Sequence, residues 1–109
     1  MNMFKVYHGW LYVDSYGFLC LSQFLPGRRR HEAPTLVDML DDLKSGQSAC
    51  LRICLFPDLD AKAYEGLVLI ERPAWPQREW HQQLSVGGHD ILAELEDHLG
   101  KYAVVMVLK

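Results

Sequence analysis

The sequence predicts an α+β fold: a two-layer sandwich of about five mostly antiparallel strands with two helices on one face, in the order ββαββαβ. Three observations carry this expectation. In the last quarter, Ile91, Leu92, Leu95 and Leu99 recur at helical spacing, Gly100 offers a left-handed stop, and the apolar run from Tyr102 to Leu108 follows at once. Further upstream, Leu36, Met39, Leu40 and Leu43 repeat with the same period behind Thr35. The stretches around these two helices are rich in β-branched and aromatic residues and are bounded by Gly, Pro and Asp.

A chain of 109 residues is near the common size of one domain, and roughly two-thirds of its unfolded surface can be buried around a single core. One domain is therefore expected over residues 1–109. Apolar residues at 50% and charged residues at 23% form an ordinary globular mixture, which argues against disorder. A formal net charge of −3 and a pI near 5.9 give no global attraction to polyphosphate or anionic lipid, so a nucleic-acid role would need a local patch. Met1 to Lys5 lack the charged and apolar regions of a secretory signal, and no apolar run approaches the ~18 residues of a membrane span. A cytoplasmic location is expected. Cys20, Cys50 and Cys54 are odd in number and sit in apolar surroundings, which fits reduced core residues better than a disulfide framework.

Met3 to Phe24 reads as a hairpin. Phe4, Val6, His8 and Trp10 alternate with Lys5, Tyr7, Gly9 and Leu11, and Asp14-Ser15-Tyr16-Gly17 has the chemistry of a tight turn. The pair carries Tyr7, Trp10, Tyr12, Tyr16 and Phe18, more aromatic surface than one inner face needs, so some rings are candidate partner contacts. Arg28, Arg29, Arg30 and His31 form the chain's basic cluster, able to pair with phosphate or with a partner's carboxylates. Asp38, Asp41 and Asp42 could instead answer that charge internally. Thr35 to Asp38 has the form of a capping box, opening a helix that should run to Gly46.

Residues 49–56 and 64–71 read as strands that pair antiparallel across Pro57 to Ala63. Arg72 to Gln83 combines Pro73 and Pro76 with Trp75, Arg78, Trp80 and His81. The prolines break helix and ladder alike, so this is a loop that either pins its tryptophans on the core or shows them to a partner. Trp75 is the expected core plug and Trp80 the expected contact. The helix over His89 to Leu99 then leads into the last strand. That strand is apolar at nearly every position, so it should lie inside the sheet with both faces covered.

No local motif supplies catalysis or metal binding. Cys50 and Cys54 would lie about 13 Å apart along a strand, and His89 and His98 more than two helical turns apart, so neither pair can share a metal. Asp58 and Asp60 are too few oxygen donors for a cation. There is no G-x-S-x-G and no phosphate-binding glycine loop. Gly87-Gly88 offers free amides to an anion, but Asp90 should cap that end itself.

The expected function is a small cytoplasmic protein-binding module without a cofactor or metal. An immunity or inhibitor protein that neutralises its partner by contact fits by analogy of size and class. Its expected contact set is Trp10, Tyr12, Tyr16, Arg28, Arg29, Arg30, Trp75, Arg78, Trp80 and His81. A homodimer through an exposed strand is compatible with this reading. The alternatives are a single-strand nucleic-acid binder using Arg28 to Arg30 with the aromatic hairpin, and a small enzyme with a His- and Cys-containing pocket. Nucleic acid ranks below a protein partner, because no aromatic and basic pattern falls within one strand.

Overall fold

A computed structural model describes residues 4–14, 17–22, 35–58, 61–71 and 82–108. Its elements run β1 (Phe4–Val13), β2 (Leu19–Ser22), α1 (Leu36–Met39), β3 (Ser48–Phe56), β4 (Ala61–Glu71), β5 (Gln83–Val86), β6 (His89–Asp90), α2 (Ile91–Glu96) and β7 (Tyr102–Leu108). The strands form one sheet of seven in the order β2-β1-β7-β3-β4-β5-β6, with every neighbouring pair antiparallel. This corrects the expected two-layer α+β sandwich. The described residues form a mostly antiparallel β fold, a seven-stranded sheet curled into a half-barrel, and among them there are only two short helices.

Two strands escaped the sequence reading. Gln83 to Asp90 is a hairpin, with Val86 opposite His89 across the two-residue turn Gly87-Gly88. Both glycines have positive φ, 60° and 84°, as the turn that best matches strand twist requires. Gly87 is also demanded by space, because a Cβ there would sit 2.3 Å from the Glu65 carbonyl oxygen.

The first helix is one turn, not three. Thr35 caps it by accepting from the Asp38 amide at 3.2 Å, but it ends at Met39 because the following chain is taken up by β4. Gly46 N–H donates to Val68 O at 3.0 Å, and Val68 N–H donates to Gln47 O at 2.8 Å. Ser45 Oγ donates to Ile70 O and accepts from Ile70 N–H. Leu40 and Leu43 are buried all the same, so their spacing records a chain winding over the core and not a helix. In α2, Asp90 caps the helix by accepting from Ala93 N–H, and Gly100 takes the expected left-handed conformation at φ 91°. Leu99, expected on the buried stripe, is 47% exposed because α2 has already ended at Glu96.

The core lies against one face of the sheet. Leu11 of β1, Leu19 and Leu21 of β2, and Val105 and Val107 of β7 point to that side. Leu51 and Ile53 of β3, Val68 and Ile70 of β4, and Leu84 and Val86 of β5 join them. Leu36, Val37, Leu40, Leu43, Ile91 and Leu95 close over this face. Burying each such side chain contributes about 1.5–3 kcal/mol.

β7 is interior, as expected, hydrogen-bonded to β1 on one side and β3 on the other. Gly9 lets β2 approach β1 closely, since a Cβ would meet Ser22 O at 2.8 Å. Replacing Gly87 by Ala should cost at least about 2 kcal/mol, from backbone strain plus contact with Glu65. Gly88→Ala meets nothing within 4 Å and should lose only about 1–2 kcal/mol, from conformation alone. Urea denaturation of the two variants measures this difference, and equal losses would contradict it.

Candidate functional site

The side of the sheet away from the core carries the feature that departs most from an ordinary solvated surface. Side chains alternate along a strand, so the registers fix which residues share that outer side. Trp10, Tyr102 and Phe56 form one cross-strand row. His8, Val104, Cys54 and Ala61 form the next, and Val6, Met106, Arg52 and Ala63 the third. Leu108, Cys50 and Glu65 follow, with Ser48 and Leu67 beyond them. A half-solvated antiparallel sheet normally presents polar residues outward. Here most of the outward positions on β1, β7, β3 and β4 are apolar.

Several outward side chains on β1, β3 and β4 are exposed. Val6 is 45% exposed, Leu67 51% and Leu69 45%, and Phe56 is exposed as well. Trp10, Tyr102, Val104, Met106, Leu108, Cys50 and Cys54 are half-buried. Of the expectation that β7 has both faces covered, the inner half holds: both described helices pack on that side, while the outward Tyr102, Val104, Met106 and Leu108 are half-buried. The aromatic row is ordered by ring contacts. Trp10 meets Tyr102 edge-on at 5.2 Å between centroids, and Phe56 meets it at 6.2 Å. The Tyr102 hydroxyl lies 2.5 Å from His8 Nδ1, which fixes the tyrosine's polar end and leaves its ring on the surface.

Of the residues expected to contact a partner, Trp10 sits in this row. Tyr12 is half-buried on the same side of β1, opposite Cys20. Tyr16, Arg28, Arg29, Arg30, Trp75, Arg78, Trp80 and His81 lie outside the described residues. The structure adds Phe56, and it adds Tyr102, Val104 and Met106, which the sequence reading placed on a strand covered on both faces. A signal was available: β3 and β7 are apolar at both odd and even positions, so each needs a cover on two sides, while two helices on one face provide only one.

A second concavity, of about 430 Å³, lies between α2 and the β3–β4 pair, with a floor of Ile53, Leu55, Tyr64 and Leu95. Its polar rim is Asp58, Lys62, Glu94, Asp97 and His98. Much of that rim is internally engaged. The Lys101 ammonium donates to Asp58 and holds its carboxyl below the usual range, and it also lies 3.2 Å from His98 Nδ1. Burial, then the neighbouring Glu94 carboxylate, push the Tyr64 hydroxyl up to about 12. His89 stands edge-on to the Tyr64 ring at 5.4 Å and 3.9 Å from Glu94. No cysteine lines this cleft, so it lacks the nucleophile of the enzyme alternative.

Among the described residues, no group of three His, Cys, Asp or Glu side chains is placed to hold a metal, and no helix is long and apolar enough to cross a membrane. Protein-family models, curated proteins and solved structures were compared with the chain, and none matches it.

The three thiols should react unequally. Cys20 is fully buried, and burial, followed by the Asp14 carboxylate, pushes its pKa up to about 11. At pH 8 iodoacetamide should alkylate Cys50 and Cys54, both half-buried on the outer face, and spare Cys20; peptide mass spectrometry reads the sites. Folding raises both the Cys20 and Tyr64 values, so their protonated forms favour the native state. That contribution is complete below the ordinary thiol and phenol ranges and is lost as pH rises towards about 11 and 12. The urea midpoint should therefore fall from pH 8 to pH 11; a flat profile would contradict the assignment.

Proposed function

We propose that the chain is a cytoplasmic protein-binding module whose contact surface is the outer face of the sheet, centred on β7 and β3. The observation that carries this is the run of outward apolar positions across β1, β7, β3 and β4, held open on a rigid four-strand support. Isolated surface leucines are ordinary, but contiguous apolar patches mark sites where another molecule docks. The Trp10–Tyr102–Phe56 row supplies the kind of anchor that dominates such contacts: large rings whose rotamers are already fixed by one another.

Three free cysteines fit a reducing compartment. An immunity or inhibitor role is the special case in which docking neutralises the partner. The outer face supports this family of readings better than nucleic acid, because it offers rings without accompanying cations. On the described outer strands Arg52 is the one arginine or lysine that points outward.

Affinity capture from source lysate, with nuclease and with an untagged copy of the chain supplied, tests the reading. Wild-type protein and a Leu99→Asp control, which alters an exposed leucine off this face, should retain a stoichiometric protein partner. Leu67→Asp and Phe56→Asp should reduce recovery by about tenfold or more, the scale of a lost contact residue. Equal recovery by all four proteins would overturn the outer face as the contact surface.

A further inference from the structure

We propose that the free edge of β4, from Ala61 to Glu65, takes up an extended peptide segment of a partner protein as an added strand, with an acidic side chain of that segment set beside Lys62. This site is separate from the outer face and does not rest on it.

β4 is paired on both sides over only part of its length. β3 lies along its Ala61 to Leu67 stretch on one side, whereas β5 lies along Val68 to Glu71 on the other. Val68 N–H donates to Gln47 O, and Leu67 O accepts from Gly87 N–H, which sets the phase of the strand. Even-numbered residues turn their backbone polar groups to the β3 side and odd-numbered residues turn theirs to the β5 side. Gly87 packs against the Glu65 carbonyl and closes it off. The N–H and C=O of Ala61 and Ala63, and the N–H of Glu65, therefore face a column that no described strand occupies. Ala61, Lys62, Ala63 and Glu65 are all exposed, which leaves that column accessible.

A row of alternating backbone donors and acceptors matches one kind of ligand, another extended chain. An unpaired edge is a template for strand addition, in which main-chain bonds supply affinity and alternate side chains supply specificity. Ala61 to Glu65 spans about 14 Å, room for a segment of about five residues. The added strand would continue the column of β5 beyond Gly87.

Side chains select the segment. On the inner side β4 presents Lys62 and Tyr64, opposite Ile53 and Leu51. Lys62 and Tyr64 also line the cleft under α2, so the inward side chains of an added strand reach the mouth of that cleft. Lys62 makes no ion pair with a described side chain. A carboxylate directly across on the added strand, with its Cβ about 5 Å from that of Lys62, answers this charge. A second copy paired edge to edge would bring its own Lys62 and Tyr64 to that side, and neither is an acid. Ala61 and Ala63 are small and put no obstacle beside the outward side chains of the segment.

Panning a displayed library of random octapeptides on the immobilised chain, followed by amide hydrogen exchange with an enriched peptide, tests this. Enriched peptides should share an acidic position. In the chain alone the Ala63 and Glu65 amides should exchange fast and those of Lys62 and Tyr64 slowly, and peptide should slow Ala63 and Glu65 by about tenfold or more. Lys62→Glu should weaken binding by about tenfold, and exchanging the peptide's acid for lysine should restore it to within about threefold. Ala63→Pro removes an edge donor that β3 does not use and should abolish binding, with circular dichroism checking that the variant is folded. A library that enriches no peptide, or peptides without a shared acid, would overturn the inference. So would binding that leaves exchange at Ala63 and Glu65 unchanged. Self-association of the chain that Ala63→Pro abolishes, with no peptide enriched, would assign the edge to a second copy and overturn it too. Phe56→Asp, on the outer face, should leave peptide binding unchanged, so failure at this edge and failure of the outer face are told apart.

Discussion

The register of β7 between β1 and β3 is the constraint on which the rest of the structure depends. Val105 stands opposite Tyr7 on one side and Ile53 on the other, and Val104 opposite His8 and Cys54. Strand side chains alternate with period two, so this single alignment assigns every residue of three strands to a face. A slip of one position would turn Val105 and Val107 outward and bring Tyr102, Val104 and Met106 under the helices. Gly100 secures the alignment at its start: its amide donates to Leu11 O at 2.8 Å, and Leu11 N–H returns to Lys101 O at 2.9 Å. The turn that stops α2 is thus also the first rung of the ladder.

The alignment also explains why a chain with such short helices holds together. The sheet provides its own floor, and six side chains from the α1 and α2 regions are enough to close the concave side. Both described helices lie on that side. The outer face is consequently a product of the topology as much as of composition: β3 and β7 have apolar residues on both faces, and the described fold answers only one.

The sequence announced some parts of this arrangement plainly. The hairpin around Asp14 is there, with Asp14 Oδ1 accepting from Phe18 N–H at 2.9 Å, and so are the Thr35 and Asp90 caps and the left-handed Gly100. These depend on local chemistry, which a sequence displays. Leu40 and Leu43 misled because burial over a sheet and burial along a helix can share a spacing, and only the bonds from Ser45, Gly46 and Gln47 to β4 tell them apart. The β5–β6 hairpin was readable in Val86-Gly87-Gly88-His89, but short strands of mixed polarity carry little periodic signal. The outer face was legible only in part: Trp10 stood out as an aromatic on an edge-side hairpin, whereas Tyr102, Met106 and Phe56 become surface only once strand order is known.

The central claim is that this apolar face is accessible in the isolated chain and closed when a partner protein is bound. Hydroxyl-radical footprinting of the chain alone and of the chain with its captured partner reads that directly, through oxidation of Met106, Trp10, Tyr102 and Phe56. Labelling of these side chains in the chain alone and their protection in the complex is the predicted result, with the exposed Leu99 unchanged in both. Slow labelling in the chain alone would show that the face is already covered within one chain, and would contradict the claim.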